Sequence, residues 1–189
     1  MTRRAFLGLA AAAPFAGAAR RSVATAAPRA TDVRIAEVRH RYEDWVYRAP
    51  YKFGGRVVDK VTILNVRCRV ETRDGQSAWG FGSMTLGNMW AFPSATMPYE
   101  STLGAMKALV ERVTRIAGQC TEIGHPFDLA LVLEPEYLAA AAEVSRELKL
   151  DQPIPKLCTL VVGSAFDAAS TTPSARSTAG TSMPPTAPS

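Results

Sequence analysis

The side chains whose types could do chemistry are few, and their spacing argues against most of it. His40 sits between Arg39 and Arg41, and His125 precedes Pro126. A protein zinc site draws several His, Cys or carboxylate ligands from short, repeated spacings, and neither histidine has such company. Ser164 lacks the G-x-S-x-G turn that lifts a hydrolase nucleophile out of a sheet. Cys68, Cys120 and Cys158 cannot all pair and show no C-x-x-C spacing, so they read as small apolar residues of the interior. Asp167, within Ser164-Ala165-Phe166-Asp167-Ala168-Ala169, reads as a helix-face or domain-junction residue, not as an acid catalyst. No catalytic residue and no metal ligand is therefore expected from the chain itself.

Charge narrows the partners. The net charge is +5, but Arg3, Arg4, Arg20, Arg21, Arg29 and Arg176 lie in the two extensions, so the middle of the chain is near neutral. Arg67 and Arg69 alternate with Val66, Cys68 and Val70, which puts both on the outer face of a strand. Nucleic acid would need a broader basic stripe, and none is expected as a partner. Beyond the leader no run reaches the ~18 apolar residues that span a bilayer, so no stable membrane anchor is expected.

The positioning elements follow from composition and period. Residues 1–30 carry Arg3-Arg4 ahead of Phe6-Leu7 and an alanine run, the pattern of a twin-arginine export signal with a periplasmic or secreted destination. Residues 31–169 form the folded part, and residues 170–189, almost wholly Ser, Thr, Pro, Ala and Gly, form a tail expected to be disordered. A strand is expected over residues 33–47, with a break in its phase, followed by a loop over residues 48–55 marked by Pro50 and Gly54-Gly55. Leu64, Val66, Cys68 and Val70 share one face of a strand over residues 57–72, and Asp74-Gly75 turns it into a return strand at residues 77–83, with Trp79 and Phe81 on one face. Helical spacing then covers residues 98–117, residues 127–148 with Pro135 dividing them, and a last run from Ile154 or Pro155 to Ala169. Strands first and helices afterwards make the fold class α+β: a three-stranded antiparallel meander followed by a helical bundle.

The ordered series of a strand, Asp74-Gly75, Trp79-Gly80-Phe81-Gly82-Ser83, a helical bundle and Ser164-Ala165-Phe166-Asp167-Ala168-Ala169 resembles the N-terminal capping domain of the mandelate racemase and muconate-lactonizing branch of the enolase superfamily. The resemblance implies an enzyme that removes the proton α to a carboxylate with Mg²⁺, its bases and metal ligands all in a barrel domain. No K-x-K occurs here, and no such residue can be assigned in this chain. The implied partners are that barrel, missing or supplied in trans, and, in the intact enzyme only, a small carboxylate substrate. What transfers is substrate enclosure, implied for Tyr51, Lys52, Phe53, Gly54 and Gly55 in one segment and for Met84, Trp90 and Phe92 in another. Trp90 and Phe92 read equally as packing between sheet and helix. The alternative is a freestanding exported α+β binding module with a flexible tail. The tail admits one more reading, out-of-frame translation. Read one base earlier with codons that degeneracy allows, residues 169–176 become L-H-D-A-F-G-K, which continues S-A-F-D-A-A as the family does.

Overall fold

A computed structural model describes residues 27–53 and 56–178, so most of the leader expected over residues 1–30, Gly54-Gly55 and the end of the expected tail lie outside the described residues. Three antiparallel strands, β1 (Val33–Phe53), β2 (Arg56–Thr72) and β3 (Ser77–Thr85), form one sheet in the order β1-β2-β3. A short helix α1 (Asn88–Ala91) and three long ones, α2 (Tyr99–Gly118), α3 (Pro126–Glu147) and α4 (Lys156–Thr178), follow. The class is α+β, a meander and then helices, as the order of periodicities implies.

The period-2 pattern of β2 does what it should: Leu64, Val66, Cys68 and Val70 are all buried, while Arg67 and Arg69 stand on the other face. The guanidinium groups of Arg67 and Arg39 cover the Trp79 ring at 5.2 and 5.6 Å, and Phe81 beside it is exposed, so the shared face of Trp79 and Phe81 is the outer one. The phase break in β1 is a bulge between Ile35 and Glu37, where Ala36 has no partner on β2. At the β2–β3 turn Gly75 takes φ +85° and donates to the Thr72 carbonyl at 3.1 Å.

Three boundaries differ from expectation. Residues 48–53 are not a loop but the end of β1, with Tyr51, Lys52 and Phe53 opposite Val58, Val57 and Arg56. The register shift between Val46 and Tyr51 contains Pro50, which has no N–H to give to a ladder, so pairing lapses there and resumes beyond it. Helix α3 runs through Pro135 without dividing. A proline inside a helix costs about 3 kcal/mol in isolation; here Leu129, Leu133, Tyr137, Ala140, Ala141 and Val144 are buried on both sides of it and hold the helix together. Helix α4 passes Ala169, where composition changes, and ends at Thr178. Ser170 and Pro173 are buried, and the Thr172 hydroxyl donates to the Phe81 carbonyl at 3.1 Å.

Helix α4 lies directly on β3. A Cβ at Gly80 would overlap the carbonyl oxygen of Ala169 and the ring of Pro173, and one at Gly82 would overlap the carbonyl oxygen of Ala165. The glycines of W-G-F-G therefore set how closely helix meets sheet. The core fills the space beneath: Leu64 and Val66 from the sheet, Met106, Leu109 and Val113 from α2, Cys158, Val162 and Ala165 from α4.

Candidate substrate-capping site

The hairpin of β1 and β2 extends beyond the body of the sheet, and the chain after β3 turns back beneath it. The main-chain N–H of Leu86 donates to the Thr62 carbonyl at 2.8 Å, which fixes where that segment leaves the sheet. Gly87 then opens a turn in which the N–H groups of Trp90 and Ala91 both reach its carbonyl. A Cβ on Gly87 would overlap the Trp90 indole, so glycine is what lets the ring fold over its own turn. Between hairpin and turn lies a small cleft of about 50 Å³, walled by Tyr47, Tyr51, Phe53, Lys60, Trp90 and Tyr99.

The sequence-derived residues are distributed unevenly around this cleft. Tyr51 and Phe53, each about half exposed, are in its wall, as is Trp90, which is also packed against the core. Lys52 is exposed and outside the lining. Met84 lies opposite Leu64 and packs on the core, and Phe92, at 1% exposure, is part of the core; neither reaches the cleft. Gly54 and Gly55 lie outside the described residues.

Sequence reasoning missed Tyr47, Lys60, Asn88 and Tyr99. Tyr47 meets Tyr51 edge to face at 5.4 Å, an aromatic pair that continues the hairpin wall. Lys60 donates to Glu100 at 2.6 Å and sits 4.8 Å over the Tyr99 ring, and the bond to Glu100 raises its pKa. Asn88 is buried; its amide donates to the Tyr99 carbonyl at 2.9 Å and to Thr102 Oγ1 at 2.8 Å, while its Oδ1 is a buried acceptor without a donor. Tyr47, Lys60 and Tyr99 carried only their positions in expected strands and a helix, and an asparagine inside an apolar run announces nothing. The cleft holds aromatic surface, an ion-paired lysine and no group poised to exchange a proton near neutrality.

The scattered reactive side chains have structural work. His40 bonds Thr114 Oγ1 through Nδ1 at 2.8 Å and Glu111 through Nε2 at 3.1 Å, tying β1 to α2. His125 Nδ1 accepts from the Phe127 N–H at 3.3 Å, capping α3. Ser164 Oγ donates back to the Val161 carbonyl at 2.7 Å. Burial pushes the thiols of Cys68 and Cys158 up to about 12, far from the reactive thiolate. Asp167 differs: burial first, and Glu134 second, raise its carboxyl to about 6, and it lines a groove between α3 and α4. Among the described residues no group of three or more His, Cys, Asp or Glu is placed to hold a metal ion. Among them, too, no helix is long and apolar enough to cross a membrane.

No protein-family model matches the chain, and no curated protein does. Among solved structures, the chain is similar to a Roseovarius nubinhibens ISM protein provisionally assigned as a mandelate racemase/muconate lactonizing enzyme. The match is 16% identical over 72% of this chain and 29% of that one, with a TM-score of 0.36. A magnesium complex, likewise assigned and from the same organism, matches at 16% identity over 77% of this chain and 31% of that one, with a TM-score of 0.39. A dipeptide epimerase from Methylococcus capsulatus, in complex with Mg and the dipeptide L-Arg-D-Lys, matches at 19% identity over 59% and 28%, with a TM-score of 0.35. This chain thus spans under a third of the length of each.

Proposed function

We propose that this chain is a substrate-capping domain of the enolase-superfamily type, which encloses a carboxylate substrate over a catalytic barrel and catalyses nothing alone. The observation that carries the reading is the meeting of two separate segments at one cleft. The hairpin segment with Tyr51 and Phe53, and the turn after β3 with Trp90, are segments to which the sequence resemblance assigns enclosure, and they line one space. The ordered motifs Asp74-Gly75, W-G-F-G-S and S-A-F-D-A-A support it independently of that geometry. In this reading removal of the α-proton belongs to groups on the barrel. The chain's own part is to cover the distal portion of the substrate with aromatic surface and to exclude water from the reacting end.

The paired arginines of the leader add a location, export by the twin-arginine route. Replacing Arg3 and Arg4 by lysine should hold the precursor in the cytoplasm, and unchanged export would remove that part of the proposal. For the activity, purified chain is incubated with Mg²⁺ and 2-hydroxy acids in deuterated water. No deuterium should enter the α-position. Metal-dependent incorporation that follows this chain through purification would show that it is itself an enzyme.

A further inference from the structure

Strand β1 is an edge of the sheet. From Glu37 to Val46 its register with β2 runs without interruption, between the bulge at Ala36 and the lapse that contains Pro50. Among the described residues β2 is the only strand this stretch pairs with, and no residue of the stretch is buried. Its outer side therefore presents a row of main-chain donors and acceptors with no strand to receive them, the template on which a further strand adds. Proteins often guard such an edge with a proline or a bulge; neither occurs between Glu37 and Val46.

The side chains along the edge carry both signs of charge, and their order selects the partner. Arg39, Arg41, Glu43 and Trp45 follow one another on the outer face, and within the chain Arg41 already pairs with Glu43 at 2.8 Å. Opposed residues of an antiparallel pair share a face. With Tyr42 on a two-fold axis between two copies of β1, Arg41 falls opposite Glu43 of the partner subunit, and the axis repeats that pair. Arg39 falls opposite Trp45 of the partner subunit, a guanidinium against an indole that is 58% exposed. On the inner face Val38 falls opposite Val46 of the partner subunit, a residue otherwise 80% exposed. No like charges meet. A register with Arg41 or Glu43 on the axis would set that charge against its own image, which destabilises a pair. The favoured register also uses Val38 to Val46, nearly the whole uninterrupted stretch.

We propose that the chain pairs with a second copy of itself along the β1 edge, antiparallel and with Tyr42 on the two-fold axis, so that two three-stranded sheets become one. The proposal stands apart from the capping reading, because none of residues 38–46 lines the cleft.

The test is sedimentation equilibrium of the full chain over a concentration series, with two variants. The unaltered chain should pass from monomer to dimer. Arg41→Glu and Glu43→Arg each set like charges opposite one another at two places, and each should weaken dimerisation about tenfold or more. Both side chains lie on the outer face, away from the core, so each variant should keep the melting transition of the monomer. Mixed in equal amounts, the two variants should pair with each other about as tightly as the unaltered chain pairs with itself, since every acid then faces a base. Hydrogen exchange locates the contact: amides along residues 38–46 should gain protection as concentration rises. A chain that stays monomeric, a dimer indifferent to both substitutions, variants that fail to pair when mixed, or protection confined to another surface would each overturn the proposal. None of these results alters the deuterium-exchange outcome that tests the capping reading.

Discussion

Among the described residues, Asp167 is a carboxyl whose environment moves it toward neutrality. Its folded-state pKa, raised from 3.8 to about 6, lies above the unfolded value, so between those limits the native state keeps a proton that the unfolded chain has lost. Stability therefore falls as pH rises through that window. The groups facing the carboxyl are Glu134 and Tyr137 on α3 and Cys68 on β2; burial holds the tyrosine and the thiol neutral, so Glu134 is the charge it meets. Asp167→Asn should raise stability at pH 7 by about 1–2 kcal/mol, allowing for residual solvent screening, and should flatten the decline between pH 4 and 6. Urea unfolding across that range checks it; an unchanged pH profile would show that the carboxyl is ionised throughout. In the sequence this residue was legible only as part of S-A-F-D-A-A, a helix-face or junction position. Its groove depends on α3 lying alongside, which no local pattern encodes.

Element identity was largely legible, and element ends were not. Strand β2 declared itself through Leu64, Val66, Cys68 and Val70, and α2 through Leu103, Met106, Leu109, Val110 and Val113, because one buried face imposes one period. The misread ends share a cause: a local signal overridden by a distant partner. Pro50 and the paired glycines mark a loop, yet Val57 and Val58 are there to pair with Lys52 and Tyr51. The Ser/Thr-rich run after Ala169 marks a tail, yet β3 offers Pro173 the space above Gly80. That packing gives a sharp prediction. Gly80→Ala or Gly82→Ala should cost about 3 kcal/mol or more, because the new Cβ meets helix backbone and not a side chain that can turn away. Gly118→Ala, with open space around its Cβ position, should change little. Thermal unfolding of the three variants distinguishes them, and equal effects would mean that α4 can lift off the sheet at no cost.

At the scale of the whole molecule, exposed apolar side chains among the described residues gather along the hairpin ribbon, at Trp45, Val46, Tyr51, Phe53 and Val57, and between α3 and α4, at Phe127, Leu131 and Leu160. A domain that completes its burial only against a partner should bind a hydrophobic dye in its native state and self-associate as concentration rises. A clean monomer that melts sharply and leaves the dye dark would instead favour a self-sufficient module. The central claim is that the cleft between hairpin and turn encloses a substrate whose chemistry happens on a barrel. It is tested most directly by joining residues 31–178 to the barrel of an enolase-superfamily enzyme and following Mg²⁺-dependent α-proton exchange. The joined protein should exchange where the chain alone does not, and Tyr51→Ala and Trp90→Ala should each raise KM about tenfold with kcat changed far less, the mark of lost substrate contact. Exchange whose KM ignores both substitutions would contradict the claim.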